Sequence, residues 1–139
     1  MQPVLIDTGP LVAFLNARDR FHDWSKAVLG GIEAPLLSCE SVLSEACFLL
    51  RRVHGGAEAV LKVVDRGLVR VPFRLEADSA PVRRLLARYA NVPISLADAC
   101  LVRMSEQVPD SLVLTLDRDF RVYRRHGRQV IRTLMPKGL

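Results

Sequence analysis

Short runs of apolar residues alternate along the chain with longer segments in which apolar residues recur every three or four positions. The short runs predict buried strands, and the longer segments predict helices with one apolar face. Strands are expected at residues 4–6, 36–37, 68–71, 112–116 and 130–131. Helices are expected at residues 10–15, 21–29, from Ser38 or Ser41 through Leu50, 57–64, about 79–90 and 96–107. Because apolar strands that alternate with helices form parallel sheets covered on both faces, the pattern predicts one α/β domain over residues 1–139.

The composition of the chain indicates which kind of partner and which cellular compartment to expect. The 139 residues are 50% hydrophobic and 25% charged, which is typical of a globular domain. The net charge of +5 favours an anionic partner such as nucleic acid. The three cysteines form no C-x-x-C pair and lie in apolar runs, which indicates reduced thiols in a cytoplasmic protein. Since no apolar run approaches the ~20 residues that span a bilayer, no membrane association is expected.

Two aspartates directly follow predicted strands. Asp7 comes after residues 4–6, and Asp117 comes after residues 112–116. Ligands of open parallel sheets bind beyond the carboxyl ends of the strands, so both side chains are expected to face one crevice. Alternatively, each aspartate simply begins a turn.

Two further acids lie on predicted helices among apolar neighbours. The residues three or four positions away from Glu45 and from Asp98 are mostly apolar, so both carboxylates are expected on the buried side of their helices. An unpaired carboxylate there costs several kcal/mol, which a shared cation would offset. Two alternatives remain open. Asp98 fits the third position of a capping box that begins at Ser95, and Glu45 could pair with Arg51 or Arg52.

Four carboxylates in one crevice suit a hard divalent cation. Mg²⁺ takes oxygen ligands and keeps several waters, so one or two carboxylates bind it directly and others hold its waters. A bound ion lowers the pKa of a water and offsets the charge that grows on a phosphodiester. Without a cation, clustered carboxylates repel each other and some become protonated. The acids therefore predict a Mg²⁺ or Mn²⁺ site suited to phosphodiester hydrolysis.

Four short segments together resemble the PIN-domain nucleases, and in particular the VapC-type toxins of bacterial toxin–antitoxin pairs. The matching segments are Val4-Leu5-Ile6-Asp7-Thr8, Val42-Leu43-Ser44-Glu45, Leu96-Ala97-Asp98-Ala99 and Thr115-Leu116-Asp117-Arg118-Asp119-Phe120. Their order and spacing agree with that family over nearly the whole chain. The resemblance implies a PIN-like three-layer α/β/α fold, with a central, mostly parallel sheet flanked by helices. It further implies Mg²⁺- or Mn²⁺-dependent endoribonuclease activity, a homodimer, and a cognate antitoxin that neutralises the protein.

The resemblance also assigns roles to individual residues. It implies a catalytic quartet made of Asp7, Glu45, Asp98 and Asp117. Asp7 and Asp98 would bind the metal directly, and Asp117 would complete the site directly or through water. Glu45 would orient a water held by the metal or act as a base. The candidate supporting residues are Thr8, Ser95 and Asp119, of which Asp119 could equally cap the following turn.

Basic residues crowd the segment that follows Asp117. Arginines beside a metal site would neutralise RNA phosphates, so the candidate RNA-binding residues are Arg118, Arg121, Arg124 and Arg125. Tyr123 lies among them and could stack on a base. The same arginines could instead form a solvated basic helix face or hold an acidic antitoxin tail.

Other functional classes fit the chain less well. A phosphatase of the haloacid dehalogenase type needs a second aspartate two residues after the first, where this chain has Gly9. A response-regulator receiver domain needs adjacent early acids, and Asp7 has no acidic neighbour. The remaining alternative is a non-catalytic PIN-like module that binds RNA or a protein, although an intact acidic quartet argues against it.

Overall fold

Strands and helices alternate through most of the chain. The computed structural model describes residues 2–33 and 35–139. The strands are β1 (Val4–Ile6), β2 (Leu36–Leu37), β3 (Val69–Arg70), β4 (Leu112–Leu114), β5 (Arg124–Arg125), β6 (Gln129–Val130) and β7 (Thr133–Leu134). The helices are α1 (Thr8–Leu15), α2 (His22–Gly30), α3 (Glu40–Leu49), α4 (Gly56–Asp65), α5 (Ser79–Arg88) and α6 (Leu96–Gln107). A short 3-10 helix covers Arg118–Arg121. None of these helices, within the described ranges, has the length and apolar character needed to cross a membrane.

A parallel sheet lies at the centre of the fold. Among the described residues it contains five strands, in the order β3-β2-β1-β4-β7. Leu5 of β1 pairs with Leu37 of β2 on one side and with Val113 of β4 on the other. All three β1 residues are buried, because helices flank the sheet and a doubly covered strand has apolar side chains on both faces. The predicted three-layer α/β/α class is therefore confirmed.

Helix α6 is buried on almost every side. It packs against β1 and β4 of the sheet and against helices α3 and α5. Seven of its residues besides Asp98 are buried, which fits a helix whose apolar residues are not confined to one stripe. Ser95 caps the helix, since its Oγ accepts a hydrogen bond from the backbone N of Asp98 at 3.0 Å. This confirms the first half of the predicted capping box and fixes Asp98 in the first turn.

The carboxyl-terminal segment differs from the prediction. Strand β4 ends at Leu114 rather than at residue 116. The expected strand at 130–131 does not close the sheet, because Val130 pairs with Arg124 in an antiparallel hairpin. The turn of this hairpin uses positive φ at His126 and Gly127. Strand β7 pairs with β4 at the edge of the central sheet. The interpretation of this segment as a basic helix face is therefore wrong, since a 3-10 turn and a hairpin occupy it.

Candidate active site

The four predicted catalytic carboxylates line one open pocket. Asp7 follows β1, Glu45 lies on α3, Asp98 lies on α6, and Asp117 lies just beyond β4. Because β1 and β4 are adjacent and parallel, their carboxyl ends reach the same edge of the sheet. The three candidate supporting residues and one candidate RNA-binding residue also line this pocket: Thr8, Ser95, Asp119 and Arg118.

Asp7 is buried and its two carboxylate oxygens each accept a hydrogen bond. Oδ1 accepts from the backbone N of Thr8 at 2.7 Å, which makes Asp7 the N-cap of α1. Oδ2 accepts from Thr115 Oγ1 at 2.6 Å. Burial nevertheless raises the pKa of Asp7 to about 6, and the nearby charges of Asp117 and Glu45 add to the effect. The site thus holds a carboxylate that the protein alone does not fully stabilise in its ionised form.

Asp98 is also buried, and the protein opposes its ionisation more strongly. Its Oδ2 accepts a hydrogen bond from the hydroxyl of Tyr123 at 3.0 Å. Burial, followed by the charge of Asp7, raises the pKa of Asp98 to about 7, with smaller contributions from Asp117 and Glu45. The acids of the pocket are therefore close enough to disfavour one another's charge.

Glu45 lies at the solvent-exposed side of the pocket, and the prediction that it would be buried is wrong. Its apolar helical neighbours Phe48 and Leu49 are themselves 61% and 55% exposed, so they do not mark the covered face of α3. The buried residues of this helix are Val42, Leu43 and Ala46. Glu45 Oε2 accepts a hydrogen bond from Thr8 Oγ1 at 3.0 Å.

The alternative pairing of Glu45 with an arginine is not found among the described residues. The guanidinium of Arg51 lies over the Phe48 ring, 3.9 Å from its centroid, and donates to the backbone carbonyl of Phe48. Arg51, in the turn after α3, is therefore engaged with Phe48 rather than with Glu45.

Asp117 begins the 3-10 helix and is only partly buried. Its Oδ1 accepts from the backbone N of Asp119 at 2.9 Å, so the turn-starting role considered for Asp117 is real and coexists with its place in the pocket. Its own backbone N donates to Thr115 Oγ1 at 2.9 Å. The Thr115 hydroxyl thus hydrogen-bonds to both Asp7 and Asp117, a role that no sequence pattern indicated.

Tyr123, like Glu45, differs from the sequence prediction in its burial. It was expected to be available for stacking on a base, but its side chain is completely buried. Its ring makes edge-to-face contacts with Tyr89 and Phe120, at centroid distances of 5.1 and 5.2 Å. The apolar spacing of Phe120 and Tyr123 is the signal that could have suggested burial.

The arginines near the pocket differ in what their guanidinium groups contact. Arg118 is exposed and lines the pocket, and Arg121 is exposed outside it. Arg124 Nη1 donates to the backbone carbonyls of residues 121, 122 and 123. Arg125 is partly buried, and its Nε has no hydrogen-bond partner within the described part of the chain. Of the four, Arg118 is therefore the best placed to meet a ligand of the pocket.

The carboxylates of the pocket suit a hard divalent cation, although they do not form a complete set of metal ligands by themselves. Within residues 2–33 and 35–139, no three His, Cys, Asp or Glu side chains are grouped tightly enough to form a ready-made ligand set. The pocket nevertheless presents carboxylate oxygens, the ligands that Mg²⁺ and Mn²⁺ prefer, and Mg²⁺ needs only one or two of them. Two buried carboxylates with raised pKa values would be stabilised in their ionised form by a cation.

Comparison with known proteins agrees with this geometry. The PIN domain family model matches residues 4–126. The fold resembles the crystal structure of VapC20 from Mycobacterium tuberculosis, described as a sarcin-ricin loop cleaving toxin. That match has a TM-score of 0.76 and 23% identity, and it covers 86% of this chain and 93% of that one. It also resembles DNA-bound VapBC from Salmonella typhimurium, with a TM-score of 0.55, 17% identity, and coverage of 97% and 98%. A search of curated proteins finds no match. Because the family model spans most of the chain and includes all four predicted catalytic acids, the protein belongs to the PIN domain family.

Proposed function

We propose that the protein is a Mg²⁺- or Mn²⁺-dependent endoribonuclease that acts as the toxin of a bacterial toxin–antitoxin pair. The observation that carries this proposal is the convergence of Asp7, Glu45, Asp98 and Asp117 on one open pocket. Burial and mutual repulsion leave two of these carboxylates with raised pKa values, and a cation would relieve both effects. Membership of the PIN domain family supports a nuclease, and the likeness to VapC20 supports RNA as the substrate.

The proposed roles divide the two buried carboxylates from the two that are more exposed. Asp7 and Asp98 would bind the cation directly, and Asp117 would complete the site directly or through water. A divalent cation held by these residues would supply a water of lowered pKa and would offset negative charge on the phosphodiester. Thr8 and Thr115 keep Asp7 in one orientation by donating to its two oxygens.

Glu45 differs from the other acids in its exposure. Its Oε2 accepts from the Thr8 hydroxyl, whereas its Oε1 accepts no hydrogen bond from the described residues. We assign to Glu45 the orientation of the attacking water, or the acceptance of its proton at Oε1.

The exposed arginines and the likeness to VapBC indicate the substrate and the partner. Arg118 at the pocket edge would bind an RNA phosphate, and the exposed Arg121 would extend the contact along the backbone. The likeness to VapBC supports an antitoxin as the partner. A single domain over residues 1–139, a homodimer and a cytoplasmic place of action complete the proposal.

The test uses RNA cleavage and thermal melting with the same protein samples. RNA is incubated with the protein in Mg²⁺, in Mn²⁺ or in a chelator, and melting is recorded with and without Mn²⁺. The wild type is expected to cleave RNA only with a divalent ion. Mn²⁺ at about 100 times its Kd should stabilise the folded protein by about 2.7 kcal/mol. Asp7→Asn should lose both effects while still capping α1, because Asn is also a good N-cap.

Asp65→Asn is the matched control, since this carboxylate is exposed at the end of α4 and should leave cleavage and metal stabilisation unchanged. RNA binding without cleavage in any metal would overturn the nuclease proposal in favour of a non-catalytic binding module. Cleavage in the chelator would overturn the metal dependence. For the toxin role, expression of the wild type should arrest bacterial growth and expression of Asp7→Asn should not; growth unaffected by either would overturn that role.

A further inference from the structure

The ring of Tyr123 is fixed in one position by its neighbours. The side chain is completely buried between Tyr89 and Phe120, whose rings contact it at interplanar angles of 66° and 82°. The backbone N of Tyr123 donates to the carbonyl of Asp119 at 3.1 Å, which ties the residue to the segment that begins with Asp117. A buried tyrosine hydroxyl needs a hydrogen-bond partner, and here the partner is Oδ2 of Asp98.

The orientation of the Asp98 carboxylate depends on a single hydrogen bond, whereas that of the Asp7 carboxylate depends on two. Both oxygens of Asp7 accept hydrogen bonds, from Thr8 and from Thr115. The hydroxyl of Tyr123 donates to Oδ2 of Asp98, whereas Oδ1 accepts no hydrogen bond from the described residues. Rotation about the last side-chain bond of an aspartate is only weakly restricted by its own structure. The orientation of the Asp98 carboxylate is therefore set chiefly by the Tyr123 hydroxyl.

We propose that Tyr123 is a positioning residue that holds the Asp98 carboxylate by Oδ2 and so presents Oδ1 to a divalent cation in the pocket. This inference rests on the proposed function, because it concerns the same metal site. Groups that orient a metal ligand by a hydrogen bond raise metal affinity by about 10–100-fold. Tyr123 does not itself line the pocket, so it acts through Asp98.

The experiment compares Tyr123→Phe with Tyr89→Phe. Each variant loses one hydroxyl from a buried ring and keeps the aromatic contacts. The Tyr89 hydroxyl accepts from the backbone N of Arg124 at 2.8 Å and makes no hydrogen bond to a carboxylate among the described residues, so it is a matched control. Mn²⁺ is titrated into each protein while melting is recorded, which gives an apparent Kd without any RNA. RNA cleavage is then measured over the same Mn²⁺ range.

We expect Tyr123→Phe to weaken the apparent Mn²⁺ affinity by about 10-fold or more, and to recover cleavage in part at high Mn²⁺. Tyr89→Phe should keep the wild-type affinity, even where it lowers the melting temperature without metal. The metal-free melting curve of each variant shows in the same scan that the protein is folded.

Wild-type Mn²⁺ affinity in Tyr123→Phe would overturn this inference and leave the proposed function intact. An equal loss of affinity in both variants would also overturn it, because the effect would then be a general consequence of a weakened core. If the wild type itself shows no response to Mn²⁺, the proposed function fails and this inference fails with it.

Discussion

Replacing Asp98 by Asn removes a carboxylate whose ionisation the fold opposes. Burial and then the charge of Asp7 raise the pKa of Asp98 from its ordinary 3.8 to about 7. At pH values between these two pKa values, Asp98 is deprotonated in the unfolded chain and still protonated in the folded protein. Unfolding is therefore favoured increasingly as pH rises above the ordinary pKa, and the loss of stability is complete above the folded-state pKa.

The size of this effect follows from the shift. A change of about three pKa units corresponds to about 4 kcal/mol once it is fully developed, and about 2–3 kcal/mol of it falls between about pH 5 and about pH 8. Asn has nearly the shape of Asp and can still accept a hydrogen bond from Tyr123, but it carries no charge. In the absence of divalent ions, the stability of Asp98→Asn relative to wild type should therefore rise by about 2–3 kcal/mol between about pH 5 and about pH 8.

The assay is denaturant unfolding in a chelator near pH 5 and near pH 8, for the wild type, Asp98→Asn and Asp65→Asn. The exposed control variant should follow the wild type at both pH values. Mn²⁺ near pH 8 should stabilise the wild type and leave Asp98→Asn unchanged. If the two proteins lose stability equally as pH rises, Asp98 ionises freely in the folded state, and the reasoning that burial and the charge of Asp7 oppose its ionisation is refuted.

Three further predictions concern the surroundings of the site, the core and the RNA contact. Thr115→Val removes the hydroxyl donor to Asp7, and because the freed polar groups are largely buried we expect a loss of about 1–3 kcal/mol in the free energy of unfolding, measured by denaturation. Gly56→Ala would force its Cβ against the backbone carbonyl and Cβ of Leu50, and the crowding should cost about 1–3 kcal/mol in the same measurement. Arg118→Ala should weaken RNA binding and lower the slope of log affinity against log salt by about 0.7–0.9, the value for one phosphate contact.

Each of these predictions has a control within the chain. Thr133→Val tests a partly buried threonine of β7 outside the pocket, and equal losses in both threonine variants would contradict the role given to Thr115. Gly30→Ala adds a Cβ that meets no atom within 4 Å apart from its chain neighbours and its own helix backbone, so it should not destabilise the protein. Arg66→Ala removes an exposed charge outside the pocket, and an equal change in its salt slope would contradict a specific contact by Arg118.

The parts of the site that sequence could predict are those set by local patterns. An apolar strand that ends in an aspartate places that residue at the carboxyl edge of a parallel sheet, and the pairing of β1 with β4 confirms this for Asp7 and Asp117. Helical spacing also placed Asp98 correctly on a buried face. The same argument failed for Glu45, because spacing shows which residues share a face of a helix but not whether another element covers that face.

The contacts that orient the acids could not be predicted, because their partners are distant in sequence. Thr115 lies 108 positions from Asp7, and Tyr123 lies 25 positions from Asp98. Neither distance corresponds to a helical or strand period, so no local pattern indicates the pairing. The bounds of the last strands were predicted wrongly because these strands also depend on pairing with another segment. The apolar pair Val130-Ile131 resembles a sheet strand, whereas the hairpin is set by the turn at residues 126–127 and by pairing with β5.

The hydrogen bonds of the pocket join its acids into one unit. Thr8, which follows Asp7, donates its hydroxyl to Glu45, and Thr115, two positions before Asp117, donates to Asp7. Tyr123, in the segment that Asp117 begins, donates to Asp98. Two stretches of chain therefore supply the donors, one leaving β1 and the other leaving β4. Their meeting depends on the register in which Ile6 pairs with Leu114, since a shift along either strand would separate Asp7 from Thr115. The register of β1 against β4 thus brings Asp7, Thr115 and Asp117 together at the edge of the sheet, where helices α3 and α6 add Glu45 and Asp98.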